Sequence, residues 1–139
     1  MRDMRAPGSE LTICIIEDDA HFRETFADVM SLRGVKVVGA GSGAGGLSVL
    51  AVHRPSVIVM DVRLPDTNGL DLCRRIRHLP ELKNVPVILI SAASRYNDPR
   101  DRVEGLLAGA AAFLAKPITI EDLWAEICGV LKRPATEFA

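Results

Sequence analysis

Four short apolar runs, each closing on a residue with chemistry of its own, constrain this chain more than any other feature. Leu11-Thr12-Ile13-Cys14-Ile15-Ile16 meets Glu17-Asp18-Asp19, and Val57-Ile58-Val59-Met60 meets Asp61. Val87-Ile88-Leu89-Ile90 meets Ser91, and Ala112-Phe113-Leu114-Ala115 meets Lys116-Pro117. Unbroken Val/Ile/Leu runs of this length suit strands covered on both faces, the condition of a parallel sheet. Such sheets bind ligands outside the carboxyl ends of their strands. The runs therefore aim carboxylates, a hydroxyl and an ammonium at one rim, a set suited to a divalent metal and a phosphoryl group.

Strand and helix patterns alternate along the chain, which predicts an α/β fold with a parallel sheet. Phe22, Phe26, Val29 and Met30 recur at helical spacing, and Gly34 stops that helix. Val35 to Ala40 reads as a second strand, and Leu47 to Val52 as a short helix ending before Pro55. Leu72, Cys73, Ile76 and Leu79 mark the next helix. Asp98-Pro99 predicts a helix start, with Val103, Leu106 and Leu107 as its inner face and Gly109 as its end. Thr119 and Asp122 form a capping-box pattern ahead of the stripe Ile120, Leu123, Trp124, Ile127, Cys128 and Leu131. The count is five strands and five helices.

At 139 residues the chain suits one domain with a full core. Residues 11–132 read as that domain, with flexible tails at 1–10 and 133–139. A formal net charge of −1 gives no electrostatic case for nucleic acid. Cys14, Cys73 and Cys128 are too few and too scattered for a disulfide frame, and read as thiols in a reducing compartment. No apolar run approaches the roughly 18 residues of a membrane span, and residues 1–10 lack the apolar centre of a secretory signal. A cytoplasmic protein with no membrane partner is expected.

Magnesium wants oxygen ligands, usually one or two carboxylates with waters and phosphate oxygens. Glu17, Asp18 and Asp61 are the candidates, whereas Asp19 is better placed to cap the first helix. Asp61 is the candidate nucleophile, since a carboxylate can take a phosphoryl group as an aspartyl phosphate. Such transfer needs positioning and charge neutralisation more than acid–base chemistry. Lys116 would supply a point charge and Ser91 a hydroxyl donor to the phosphoryl oxygens. His21, His53 and His78 have no metal-ligand spacing, and Trp124 belongs to a core stripe.

Taken together, the residues match a family. The chain resembles the receiver domain of two-component response regulators over about residues 11–132. The resemblance rests on Ile15-Ile16-Glu17-Asp18-Asp19, Val59-Met60-Asp61-Val62-Arg63-Leu64-Pro65, Asn68-Gly69, Ile90-Ser91-Ala92, Gly109-Ala110 and Phe113-Leu114-Ala115-Lys116-Pro117. It implies a flavodoxin-like, doubly wound five-stranded parallel sheet in the order 2-1-3-4-5, an order for which receiver proteins are a known example. It implies Asp61 as phosphoacceptor, with magnesium on Asp18, Asp61 and the Arg63 main-chain carbonyl, and on Glu17 through water. Lys116 would contact the phosphoryl group, and the bond to Pro117 would be cis, a form proline permits. Ser91 and Phe113 match the pair that couples phosphorylation to a surface change, the hydroxyl moving onto the phosphoryl oxygen as the ring turns inward.

The implied partners are a histidine kinase or phosphotransfer domain as donor, an unknown downstream protein, and a second copy through the last two helices and fifth strand. The chain would act on its own phosphorylation and hydrolysis, not on outside substrates. It reads as a stand-alone receiver or a piece of a longer protein. Ala110-Ala111-Ala112 lacks the acidic pair common in winged-helix regulators, which argues against that output. Serine at 91 replaces the commoner threonine, Ile118 stands where many members have phenylalanine, and Ser94 to Arg102 is longer than usual. Two other readings compete. Gly41-Ser42-Gly43-Ala44-Gly45-Gly46 contains G-x-G-x-x-G, with Asp66 about 20 residues on, the outline of a dinucleotide site. An Asp-nucleophile phosphatase of the haloacid-dehalogenase type would want a second Asp where Arg63 stands.

Overall fold

A computed structural model describes residues 11–92 and 99–132. Five strands and five helices alternate: β1 (Thr12–Ile16), α1 (Ala20–Leu32), β2 (Lys36–Ala40), α2 (Gly43–Val52), β3 (Val57–Asp61), α3 (Gly69–Arg77), β4 (Val87–Ser91), α4 (Pro99–Leu107), β5 (Ala112–Ala115) and α5 (Ile120–Val130). All strand pairs are parallel and the sheet order is β2-β1-β3-β4-β5, the doubly wound arrangement expected.

The uninterrupted apolar runs are explained by the layers on either side. Side chains alternate across a strand, so Ile13, Ile15, Val57, Val59, Ile88 and Ile90 face one way and pack with Phe26, Met30, Leu123, Trp124 and Ile127 of α1 and α5. Their neighbours Cys14, Ile16, Ile58, Met60, Val87 and Leu89 face the other way, onto Leu50, Leu72, Cys73, Ile76, Ala108 and Phe113. Residues 13–16, 57–61 and 87–90 of the three inner strands are buried on both faces. The three cysteines are free and buried, and burial pushes the Cys14 thiol up to about 12.

Local chemistry sets the ends of the elements. Gly34 follows α1 at φ +76° and Gly109 follows α4 at φ +97°, the left-handed conformation that glycine adopts without a Cβ penalty. Thr119 Oγ1 accepts from Asp122 N at 3.0 Å to start α5. The N-cap expected at Asp98, and both tails, lie outside the described residues.

Three expectations need correction. α2 begins at Gly43, not Leu47: Ser42 caps it, so the glycines form its first turn instead of a loop before it. α3 stops at Arg77, leaving Leu79 beyond its end at 36% exposure. The third concerns the inner face of α4. Val103, Leu106 and Leu107 are exposed, at 54%, 51% and 78%, while Gly105 and Ala108 are buried. The helix docks through its smallest residues because the Phe113 ring lies directly beneath it; a Cβ on Gly105 would sit 2.6 Å from Phe113 Cδ2. Hydrophobicity alone selects the wrong stripe.

Urea denaturation separates the two assignments. Leu107→Glu is expected to change stability by no more than about 0.5 kcal/mol, as at an open surface. Gly105→Ala is expected to cost about 1–3 kcal/mol by overpacking against Phe113.

Candidate functional site

The sheet delivers its polar residues to one edge. Glu17 follows β1 directly, Asp61 is the last residue of β3, and Lys116 follows β5. Glu17 is fully buried and Asp61 only 4% exposed, whereas Asp18 lies open. One carboxylate oxygen from each of Glu17, Asp18 and Asp61 lies within 4.8 Å of the others.

Lys116 closes this cluster. Its Nζ donates to Glu17 Oε1 at 2.5 Å and to Asp61 Oδ2 at 3.0 Å, and it lies 6.0 Å from the centre of the Phe22 ring. The remaining oxygens are also held: Glu17 Oε2 accepts from Asp19 N at 3.0 Å, and Asp61 Oδ1 from Arg63 N at 2.9 Å. Burial raises the Glu17 carboxyl above its ordinary range, more than its hydrogen bonds to Lys116 and Asp19 lower it. For Lys116, burial works to lower the ammonium pKa. The hydrogen bonds and charges of Glu17 and Asp61 outweigh that, leaving it raised.

The donor set consists of oxygens alone, which suits a hard cation such as magnesium and not a thiol- or imidazole-seeking metal. A cation already fits among the acids, because the ammonium of Lys116 bridges two of them. Asp19 does what its position suggested: Oδ1 accepts from Phe22 N at 3.1 Å and caps α1.

Ser91 lies at the strand end next to Lys116, and Phe113 lies three residues before Lys116 on β5, beneath Gly105 of α4. Lys116 N donates to Ser91 O at 2.7 Å, so serine and lysine sit at adjacent strand ends, with Ser91 Oγ 3.5 Å from Ala92 O. The Lys116–Pro117 bond is cis. Phe113 is 7% exposed, with the Arg102 guanidinium 5.8 Å from its ring centre and Arg102 Nη1 donating to its carbonyl at 3.2 Å. The inward turn expected of Phe113 thus meets a ring with little surface left to bury. A hollow of about 410 Å³ opens beside Lys116, lined by Asp19, Phe22, Ala92, Pro117 and Ile118.

Two residues absent from the expected site support it. Arg23 Nη1 donates to the Glu17 carbonyl at 2.5 Å, and its stem crosses β2 where Gly39 leaves room. Asp66, expected only as the acid of a dinucleotide motif, instead accepts from Gly43 N at 2.8 Å and Ala44 N at 2.9 Å. These bonds hold its carboxyl below the ordinary range. With Ser42 Oγ on Gly45 N at 3.0 Å, the first amides of α2 are already taken. A pyrophosphate would need those N–H groups, so the glycine motif is a packing device: a Cβ on Gly46 would lie 2.5 Å from Ile16 Cδ1. For Arg23 the readable signal was the glycine pair Gly39 and Gly41 opposite a helix-start arginine; for Asp66 nothing local indicated its partner.

The raised Glu17 pKa has a consequence for stability. The folded state holds the Glu17 proton to higher pH than the unfolded state, whose pKa is near the ordinary 4.5. Stability therefore falls as pH rises from that value through the folded pKa. Glu17→Gln is expected to lose this falling limb and to match or exceed wild-type stability at neutral pH without metal. Urea denaturation across a pH series rising from the ordinary carboxylate value checks it; an unchanged profile contradicts the role given to burial.

Comparisons with known proteins agree with the geometry. The sequence profile of the response regulator receiver domain matches residues 13–128. Transcriptional regulatory protein AfsQ1 of Streptomyces coelicolor is 39% identical over 126 residues, covering 91% of this chain and 53% of that protein. This chain thus spans about half the length of such curated relatives. The signal receiver domain of a histidine kinase from Syntrophus aciditrophicus superposes with a TM-score of 0.76 at 31% identity, covering 87% of this chain and 89% of that one. Chemotaxis response regulator CheY4 of Vibrio cholerae has a TM-score of 0.78 at 23% identity over 86% and 98%, and shares the fold. The chain belongs to the response regulator receiver domain family.

Proposed function

We propose that Asp61 is the phosphoacceptor of this domain and that its modification is the signal the domain transmits. The observation that carries this reading is the meeting of Glu17, Asp18 and Asp61 within 4.8 Å, with the Lys116 ammonium on Asp61 Oδ2. The donor is a phosphohistidine on a histidine kinase or phosphotransfer domain. An Asp61 carboxylate oxygen attacks phosphorus, the P–N bond breaks, and the imidazole leaves. Asp18, Asp61 and the Arg63 main-chain carbonyl would hold magnesium directly, and Glu17 through water. When bound, the ion neutralises charge on the transferring phosphoryl oxygens.

Within this scheme Lys116 exchanges its hydrogen bond to Asp61 for one to the phosphoryl group, a point charge on a flexible stem. Ser91, at the neighbouring strand end, donates its hydroxyl to the same group. Phe113, which lies beneath Gly105, passes the change to α4, β5 and α5. Phosphorylation thereby biases a two-state equilibrium of that face. The domain promotes its own phosphorylation and hydrolysis and turns over no outside substrate.

Relatives such as AfsQ1 are described as transcriptional regulators, which favours a transcriptional output even though Ala110-Ala111-Ala112 weighs the other way. Nucleic acid would be contacted by another part of such a protein, not by this domain. A homodimer through the α4-β5-α5 face and a cytoplasmic location complete the proposal. No described helix is long and apolar enough to cross a membrane.

Incubation with acetyl phosphate and magnesium, followed by intact mass, is expected to give one phosphoryl adduct. Chelation of the metal and Asp61→Asn should each abolish it; an adduct persisting in Asp61→Asn contradicts the assignment. Lys116→Ala is expected to bind magnesium yet fail to convert the α4-β5-α5 amide resonances when phosphorylated. Normal conversion would remove Lys116 from the switch.

A further inference from the structure

We propose that Asp66 is a positioning residue for the divalent cation, tying the loop that carries Arg63 to the first turn of α2. The inference rests on the magnesium reading above. Residues 62–68, between β3 and α3, are closed at their base. Arg63 and Asn68 form an antiparallel bridge, Gly69 N donates to Val62 O at 2.7 Å, and Leu64 N to Thr67 O at 3.2 Å. The tip is fastened separately, by Asp66 Oδ1 on Gly43 N and Oδ2 on Ala44 N.

The sheet order gives this contact its reach. β1 lies between β2 and β3, so a bond from the loop after β3 to the helix after β2 spans the strand whose end carries Glu17 and Asp18. The fit is close, since a Cβ on Gly43 would collide with Thr67 Cγ2 and lie 3.3 Å from Asp66 Oδ1. In the same connection, a Cβ on Gly41 would lie 4.0 Å from the Asp18 Cα. Asp66 itself is exposed and carries no role in the hydrophobic layers. Its two charge-assisted bonds fix where the Arg63 loop stands against the first turn of α2, whose preceding Gly41 packs close to the Asp18 backbone. Neighbours that orient ligands in this way typically alter metal affinity by about 10–100-fold.

The test is a magnesium titration of the whole chain followed by backbone amide NMR at Asp18, Asp61 and Arg63. Asp66→Ala is expected to weaken magnesium binding about tenfold, with the folded spectrum kept. Asp66→Asn, whose amide oxygen still accepts from Gly43 N, is expected to retain most of the affinity. Gly43→Ala, which pushes on Thr67 while leaving every charge in place, is expected to weaken binding as well, and it covers the case in which Asp66→Ala does not fold. Unchanged affinity in Asp66→Ala or in Gly43→Ala overturns the proposal. So does an Asp66→Asn as weak as Asp66→Ala, which would mean that charge alone acts. A wild-type chain with no magnesium-dependent shift at these amides instead overturns the metal reading, and this inference falls with it.

Discussion

Three inner strands buried on both faces hold this structure in place, and the site follows from that condition. A parallel pair cannot be joined by a tight turn, so each connection must cross back with a helix. Four such crossovers, with α5 after β5, coat both sides of the sheet and leave no room for polar side chains in the middle of β1, β3 and β4. Polar residues survive only at the strand ends. There Glu17, Asp61 and Lys116 meet although they are far apart in sequence, with Lys116 bonded to both carboxylates.

That cluster is a compromise between burial and charge. Glu17 has no exposed surface, and an unpaired carboxylate there would carry a large desolvation cost. Lys116 compensates by bridging Glu17 and Asp61, with the amides of Asp19 and Arg63 serving the other oxygens. The same arrangement leaves an exposed acid, Asp18, beside two buried ones. A group of oxygens with one open member suits an incoming hard cation.

The positions of the loops depend on less conspicuous contacts. Arg23 holds the Glu17 carbonyl from α1, and Asp66 holds the β3–α3 loop to α2. Glycines make both approaches feasible: Gly39 beneath the arginine stem, Gly43 against Thr67. The glycine-rich stretch that resembled a nucleotide-binding loop therefore serves close packing, and its helix start is closed by the protein's own carboxylate.

The strands, their burial on both faces and the chemistry of their ends are legible in the chain, because an apolar run and the charged residue that stops it are both local. The chain also marks the caps at Asp19, Thr119, Gly34 and Gly109, whose signals lie within one turn. Which face of α4 turns inward depends on packing instead. Val103, Leu106 and Leu107 formed the more apolar stripe, but the Phe113 ring accepts only Gly105 at close range. Likewise Asp66 found its partner 22 and 23 residues away, across a strand that neither belongs to. Shape complementarity and through-space hydrogen bonding join residues that no local pattern connects. The acids and the lysine could be read from the chain, and their spacing required the fold.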